Sequence, residues 1–166
     1  MIEQPAGWRR GLGKMRERMD IAAGVREARD LSEALGCVVR GFGADTGTLH
    51  LLEDDGLLHL KALSGDFPAP VLAVIQTIPV GKGMAGLAVE RAQPVDACNI
   101  QTDTSGDVRP GAKATGMEGA IVVPVFDGTR VVGALGIANR GERTFTEMEK
   151  GNLIAAGRAF AMRRTV

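Results

Sequence analysis

The sequence is poor in the side chains that usually carry chemistry. Its 166 residues hold no tyrosine, one tryptophan, two cysteines and two histidines. Cys37 and Cys98 lack C-x-x-C spacing, so neither a disulfide framework nor a zinc site is encoded. Two histidines supply too few ligands for a metal centre, which wants three or four from the protein. The shortage of aromatic rings argues against a site that stacks a flat ring. Charge of one sign is also missing: twenty basic residues balance twenty acidic ones, with no long run of either, and nucleic acid is not an expected partner. No apolar stretch reaches the ~20 residues that cross a bilayer, and the first residues, MIEQPAGWRRGLGK, contain no signal-peptide core. The expectation is a cytoplasmic protein with no membrane contact, no bound metal and no resident cofactor.

What is present is the material of one core. The chain is 45 % hydrophobic, and a domain of this length buries roughly 70 % of its unfolded surface without needing a staple. Residues 1–13 read as an irregular arm and 14–166 as a single domain. A first helix is expected from about 14 to 24, with Met15, Met19 and Ala22 on one face. A second begins at Asp30, which caps it while Glu33 answers three positions on; its stripe is Leu31, Leu35, Val38 and Phe42.

The pattern then changes to period two. Residues 48–52 and 57–62 flank Asp54-Asp55-Gly56, a hairpin signal. Whichever tight-turn register is taken, Leu49 and Leu51 are expected to share a face with Leu58 and Leu60, with His50 and His59 together on the other. A short helix at 70–77, a strand at 78–80, a helix running to about 91 and an edge strand at 94–96 follow. Residues 99–118, NIQTDTSGDVRPGAKATGME, are polar and aperiodic, as in a lid or binding loop. A second hairpin, 120–126 and 131–138, turns at Asp127-Gly128, where a type I′ turn is expected and Pro124 needs a position that donates no ladder bond. Thr146 and Glu149 open the last helix as a capping box. Strands joined through hairpins imply an α+β fold with a largely antiparallel sheet.

Four colinear pieces, TLHLLEDDGLLHLKALSG, IPVGKGMAGLAVERAQPV, AIVVPVFDGTRVVGALGIANR and FTEMEKGNLIAAGRAFA, together resemble the GAF domain family over roughly residues 28 to 163. The resemblance implies a PAS-like antiparallel sheet of five to six strands. Terminal helices would cover one face, and a ligand pocket roofed by short helices and loops the other. Family members bind cyclic nucleotides, bilins, haem, 2-oxo acids or other small metabolites. They commonly dimerise through their terminal helices and regulate an attached output domain. The expectation here is a homodimer through the terminal helices that acts on an unknown output protein.

Several local motifs resemble those of more specific chemistries. Gly81-x-Gly83-x-x-Gly86 matches a dinucleotide fingerprint, and Asp103 has the spacing of its acidic partner. That motif needs a parallel βαβ unit, however, and a tight turn into a helix explains the glycines without a cofactor. Lys82 at that helix start would favour an anion. Some stand-alone family members reduce free methionine sulfoxide with cysteines in the turn resembling GKGMAG and in the loop before AIVVPV. Here the turn holds Ala85 and the loop holds no cysteine. Asp96-Ala97-Cys98 loosely resembles a bilin attachment motif, without the Cys-His pair. The N-K-x(n)-F-x-x-D-E signature of cyclic-nucleotide members is missing. The candidate site therefore consists of Arg109 and Lys113 as anion partners, with Thr115, Met117 and Cys98 as liners. For Cys98 the competing reading is a small half-buried core thiol. A planar carboxylate such as a 2-oxo acid would suit Arg109. Small residues at 155, 156, 157, 159 and 161 would let the last helix approach the sheet or a partner closely. The expected function is small-molecule sensing without catalysis, with a thiol reductase and a dimerisation scaffold that binds nothing as the alternatives.

Overall fold

The computed structural model describes residues 21–163. Its elements run α1 (21–27), α2 (Leu31–Gly41), β1 (Thr46–Leu52), β2 (Leu57–Ser64), α3 (Ala69–Ile75), β3 (Thr77–Pro79), α4 (Gly83–Arg91), β4 (Val95–Ala97), α5 (Pro110–Lys113), β5 (Gly119–Asp127), β6 (Arg130–Asn139) and α6 (Glu147–Arg163). The six strands form one sheet of order β3-β2-β1-β6-β5-β4, antiparallel at every pairing. The arm 1–13 and most of the first predicted helix lie outside the described residues.

Capping chemistry sets the helix starts. The Glu33 N–H donates to Asp30 Oδ1 at 2.8 Å, and the Glu33 carboxylate in turn accepts from the Arg29 N–H. At α6 the box is reciprocal: the Glu149 N–H donates to Thr146 Oγ1 and the Thr146 N–H to Glu149 Oε1, both at 3.1 Å. Arg143 joins the two ends of the core layer. Its guanidinium donates to the Phe42 carbonyl at 2.7 Å and to Glu149 at 2.7 Å, and lies 4.7 Å above the Phe145 ring.

The main core lies between the sheet and α1, α2 and α6. Alternation along the strands sends Leu49, Ile121, Val123, Val125, Leu135 and Ile137 to that side, against Leu35, Val38, Leu153 and Phe160. The small residues of α6 serve this packing: Ala156, Gly157, Ala159 and Ala161 are buried, and only Ala155 of the group is exposed.

The first hairpin departs from the facing expected for its leucines and histidines. Glu53 N–H bonds the Leu57 carbonyl at 3.0 Å, leaving a three-residue loop with Gly56 at φ +78°. Leu52 therefore pairs with Leu58, His50 with Leu60 and Leu51 with His59. A one-residue change of register sends every side chain to the other face. His50 and His59 accordingly end on opposite faces, and a bulge after Leu49 restores the pairing of Leu49 with Ala62. His59 instead meets Asp55 at 2.7 Å. In the second hairpin Asp127 pairs with Arg130, so the central residues are Gly128 and Thr129. Only Gly128 has positive φ, which makes the turn type II′ rather than I′. Pro124 sits two residues beyond Val122, the last β5 residue paired with β4, where the strand is an edge.

Candidate ligand pocket

The second face of the sheet is built from small side chains. Residues 46 and 48 of β1, 120 and 122 of β5, and 134, 136 and 138 of β6 point there: two threonines, one valine, three alanines and a glycine. α4 covers one half of this face, where Val89 packs with Leu58 and Ala134. Over the other half the floor of Thr48, Ala120, Gly136 and Ala138 leaves a hollow. α3, the start of α4 and the 99–118 segment roof it, enclosing a cavity of about 480 Å³. That volume lies within the roughly 300–1,000 Å³ of small-molecule sites.

The roof is placed by local chemistry. α3 turns Val71 and Ile75 onto the cavity and is tied to the floor by His50, whose Nε2–H donates to the Ile75 carbonyl at 2.8 Å. His50 is 2 % exposed. Burial pushes its imidazole below the usual titration range, against the Ile75 carbonyl, which favours the charged form. With the proton on Nε2, Nδ1 is left as a buried acceptor without a hydrogen-bond partner.

The glycine motif shapes the cavity's edge. Gly81 (φ +85°) and Gly83 (φ +64°) take left-handed backbone, and a Cβ on Gly86 would lie 2.4 Å from the Pro79 carbonyl oxygen. The motif is a tight turn backed against β3. No parallel strand pair exists among the described residues, so the dinucleotide requirement is unmet. The first turn of α4 has no side-chain cap, and its leading residues face the cavity.

The 99–118 segment is not wholly irregular, since residues 110–113 form the short helix α5. Gln101 stitches it by donating to the carbonyls of Lys113 (3.0 Å) and Met117 (2.8 Å). Arg91 clamps it to α4 through both carboxylate oxygens of Asp107, at 2.9 and 3.1 Å. That hydrogen-bonded guanidinium holds the Asp107 carboxyl below the usual carboxylate range.

Three of the five residues singled out from the sequence line the cavity: Arg109, Thr115 and Met117. Arg109 is exposed at the mouth, and its side-chain stem lies across Gly83, where a Cβ would be 2.9 Å from Arg109 Cδ. Thr115 spends its hydroxyl locally, donating to the Ala112 carbonyl at 2.7 Å and accepting from the Met117 N–H at 3.1 Å. Met117 packs with Ala97, Ile100 and Ala120. Lys113 and Cys98 are exposed and lie off the lining. Cys98 Sγ accepts from Thr144 Oγ1 at 3.7 Å, so it is neither a cavity thiol nor the half-buried core thiol also expected. Cys37 is half-buried beside Gly24.

Sequence reasoning placed His50 on the sheet surface under a helix but not in the ligand site, and it missed the α3 face and the small-residue floor. Small residues at every second position, Ala134, Gly136 and Ala138, were the available signal. No group of His, Cys, Asp or Glu among the described residues is placed to hold a metal ion. No described helix is long and apolar enough to cross a membrane.

The fold and pocket together have the architecture of a small-molecule-binding regulatory domain. The family model of the GAF domain matches residues 27–162, and the chain belongs to that family. Among solved structures it is similar to the GAF domain of a phosphoenolpyruvate-protein phosphotransferase from Coxiella burnetii. That match has TM-score 0.72 and 21 % identity, and covers 93 % of this chain and 96 % of that one. It is similar also to a free methionine-R-sulfoxide reductase from Neisseria meningitidis solved with its substrate, at TM-score 0.72 and 20 % identity, covering 92 % of each chain. The GAF domain of A. aeolicus nlh2 in an inactive state follows at TM-score 0.68 and 16 % identity, covering 93 % and 97 %. At these identities the likeness concerns the fold. A comparison with curated protein sequences finds no match.

Proposed function

We propose that this GAF domain senses a small molecule in the cavity between the sheet and the roof of α3, α4 and α5, and passes the state of that cavity to a partner protein. The observation that carries the reading is the lining itself. It is concave and largely apolar, with a few convergent polar groups, Arg109 and Lys82 at its mouth and His50 within. Homodimerisation through α1 and α6 belongs to the same proposal and is checked by sedimentation.

Reduction of methionine sulfoxide is the reading from a different class, and the cavity does not favour it. A thiol redox cycle needs an attacking and a resolving sulfur, and no cysteine lines the cavity. A thermal-shift screen of the purified chain against nucleotides, 2-oxo acids, amino acids, aliphatic acids and methionine sulfoxide tests the proposal. Saturation at 100 times the dissociation constant stabilises the native state by about 2.7 kcal/mol, an easily read shift. At least one class is expected to raise Tm, and Cys98→Ser should leave that response unchanged. Silence from every class at millimolar concentration would remove the sensory reading, and turnover of methionine sulfoxide lost in Cys98→Ser would replace it with the enzymatic one.

A further inference from the structure

The charges around the cavity are distributed unevenly. Two cations, Lys82 and Arg109, stand at one end, and neither has an acidic partner among the described residues. Both belong to the same end of the cavity, because Lys82 is the N-cap of α4 and the Arg109 stem lies across Gly83 at the same helix start. The first N–H groups of α4 have no intrahelical acceptor and no capping side chain, so they add to the positive potential of the two cations, while the Glu90 carboxylate lies beside Gly81, outside the lining. Among the described residues, no aspartate or glutamate lines the cavity.

Deeper in, the lining has no charge. The floor is Thr48, Ala120, Gly136 and Ala138, and Val71 and Ile75 cover it from α3. Among the described residues His50 is the one titratable side chain of the interior, and burial disfavours its charged form. A second charge carried by a ligand into this region would be desolvated without a counter-ion, which is strongly unfavourable. A dianion is disfavoured on that ground. A free amino acid is disfavoured as well, because its ammonium group would meet two cations and no carboxylate.

We infer that the cavity takes a single-headed amphiphile: an aliphatic monocarboxylate whose head lies between Lys82, Arg109 and the start of α4, and whose hydrocarbon body rests on the alanine and glycine floor under α3. This inference rests on the sensory reading above and names its ligand class. The fork of Arg109 suits a planar carboxylate, and the small floor residues make the room that the body needs.

Isothermal titration of the purified chain with octanoate, octanol, octylammonium and suberate tests it. Octanoate is expected to bind, octanol to bind about tenfold or more weakly, and octylammonium and suberate not to saturate. The double variant Lys82→Gln/Arg109→Gln changes two exposed side chains and should fold normally. It should lower octanoate affinity at least about tenfold while leaving octanol within about twofold. Ala138→Leu should remove both ligands, with circular dichroism and the denaturation midpoint reporting that it folds. Failure of octanoate to bind, suberate or octylammonium binding as tightly as octanoate, or a double variant with undiminished octanoate affinity each overturns the inference. If octanoate fails while another compound shifts Tm and loses its shift in Ala138→Leu, only the ligand class falls. If every compound fails, the sensory reading falls with it.

Discussion

Neighbouring residues of β5 and β6 face opposite sides of one sheet, and the two sides differ in size. Toward α2 and α6 stand Ile121, Val123, Val125, Leu135 and Ile137, each at most 3 % exposed and packed among Leu35, Leu153 and Phe160. Toward the cavity stand Ala120, Val122, Ala134, Gly136 and Ala138. The same backbone therefore supports a filled layer and a hollow one, and the strand period of two keeps them apart. Stability should reside in the first face and ligand discrimination in the second.

The sharpest way to break this comparison uses adjacent residues. Ile121→Ala removes a side chain that is 1 % exposed from the filled layer and should cost about 2–5 kcal/mol in urea denaturation. Val122→Ala acts one residue along, where the half-buried side chain borders the hollow, and should cost within about 1 kcal/mol. Equal losses would mean that the cavity face packs as tightly as the core face.

A reversed experiment adds bulk instead of removing it. Ala156, fully buried on α6, has no room for a larger side chain, and Ala156→Leu should cost about 1–3 kcal/mol through overpacking. Ala138→Leu makes the same change into the hollow and should stay within about 1 kcal/mol of the parent protein. A large loss in Ala138→Leu, read from the thermal midpoint, would show that the space above Ala138 is not free.

The filled face was the legible one in the sequence. Leu35, Val38 and Phe42 declare a helical stripe, and Thr146 with Glu149 declares a helix start, because these signals are local. The two hairpins and the antiparallel character of the sheet were legible too, whereas the pairing of β1 with β6 that joins the hairpins was not. The hollow face was read less well, for physical reasons that can be named. Which residues border a cavity depends on elements far apart in the chain, so His50 was separated from α3 by twenty-five residues until the fold brought its ring to Ile75. The side of the sheet that His50 occupies hinged on one loop residue, Gly56, whose left-handed backbone made the turn three residues long. The polar loop, singled out for its lack of periodicity, does supply Arg109, Thr115 and Met117 to the cavity lining. It could not say that Lys113 and Cys98 turn outward, because that depends on the short helix α5 and the end of β4.

The smallest expected effect concerns the one ionisable side chain inside the hollow. Unfolded, the His50 imidazole titrates near its ordinary value of about 6.5. Folded, burial lowers it, so between about 6.5 and that lower value the unfolded chain binds a proton that the native protein refuses. Stability therefore falls as pH falls through this window, and His50 contributes no slope above it, where both states are neutral. The carboxylates of Glu33, Asp55, Asp107 and Glu149 have lowered folded values as well. Their contribution is present above the ordinary carboxylate range and is lost only under more acidic conditions. His50→Gln retains an N–H that can reach the Ile75 carbonyl and removes the titration. Urea midpoints measured from about pH 7.5 to about pH 5 should decline in the parent protein and run nearly flat in the variant. An equal decline in both would assign the slope to another group, and the hollow would then lose the argument that its interior rejects a second charge.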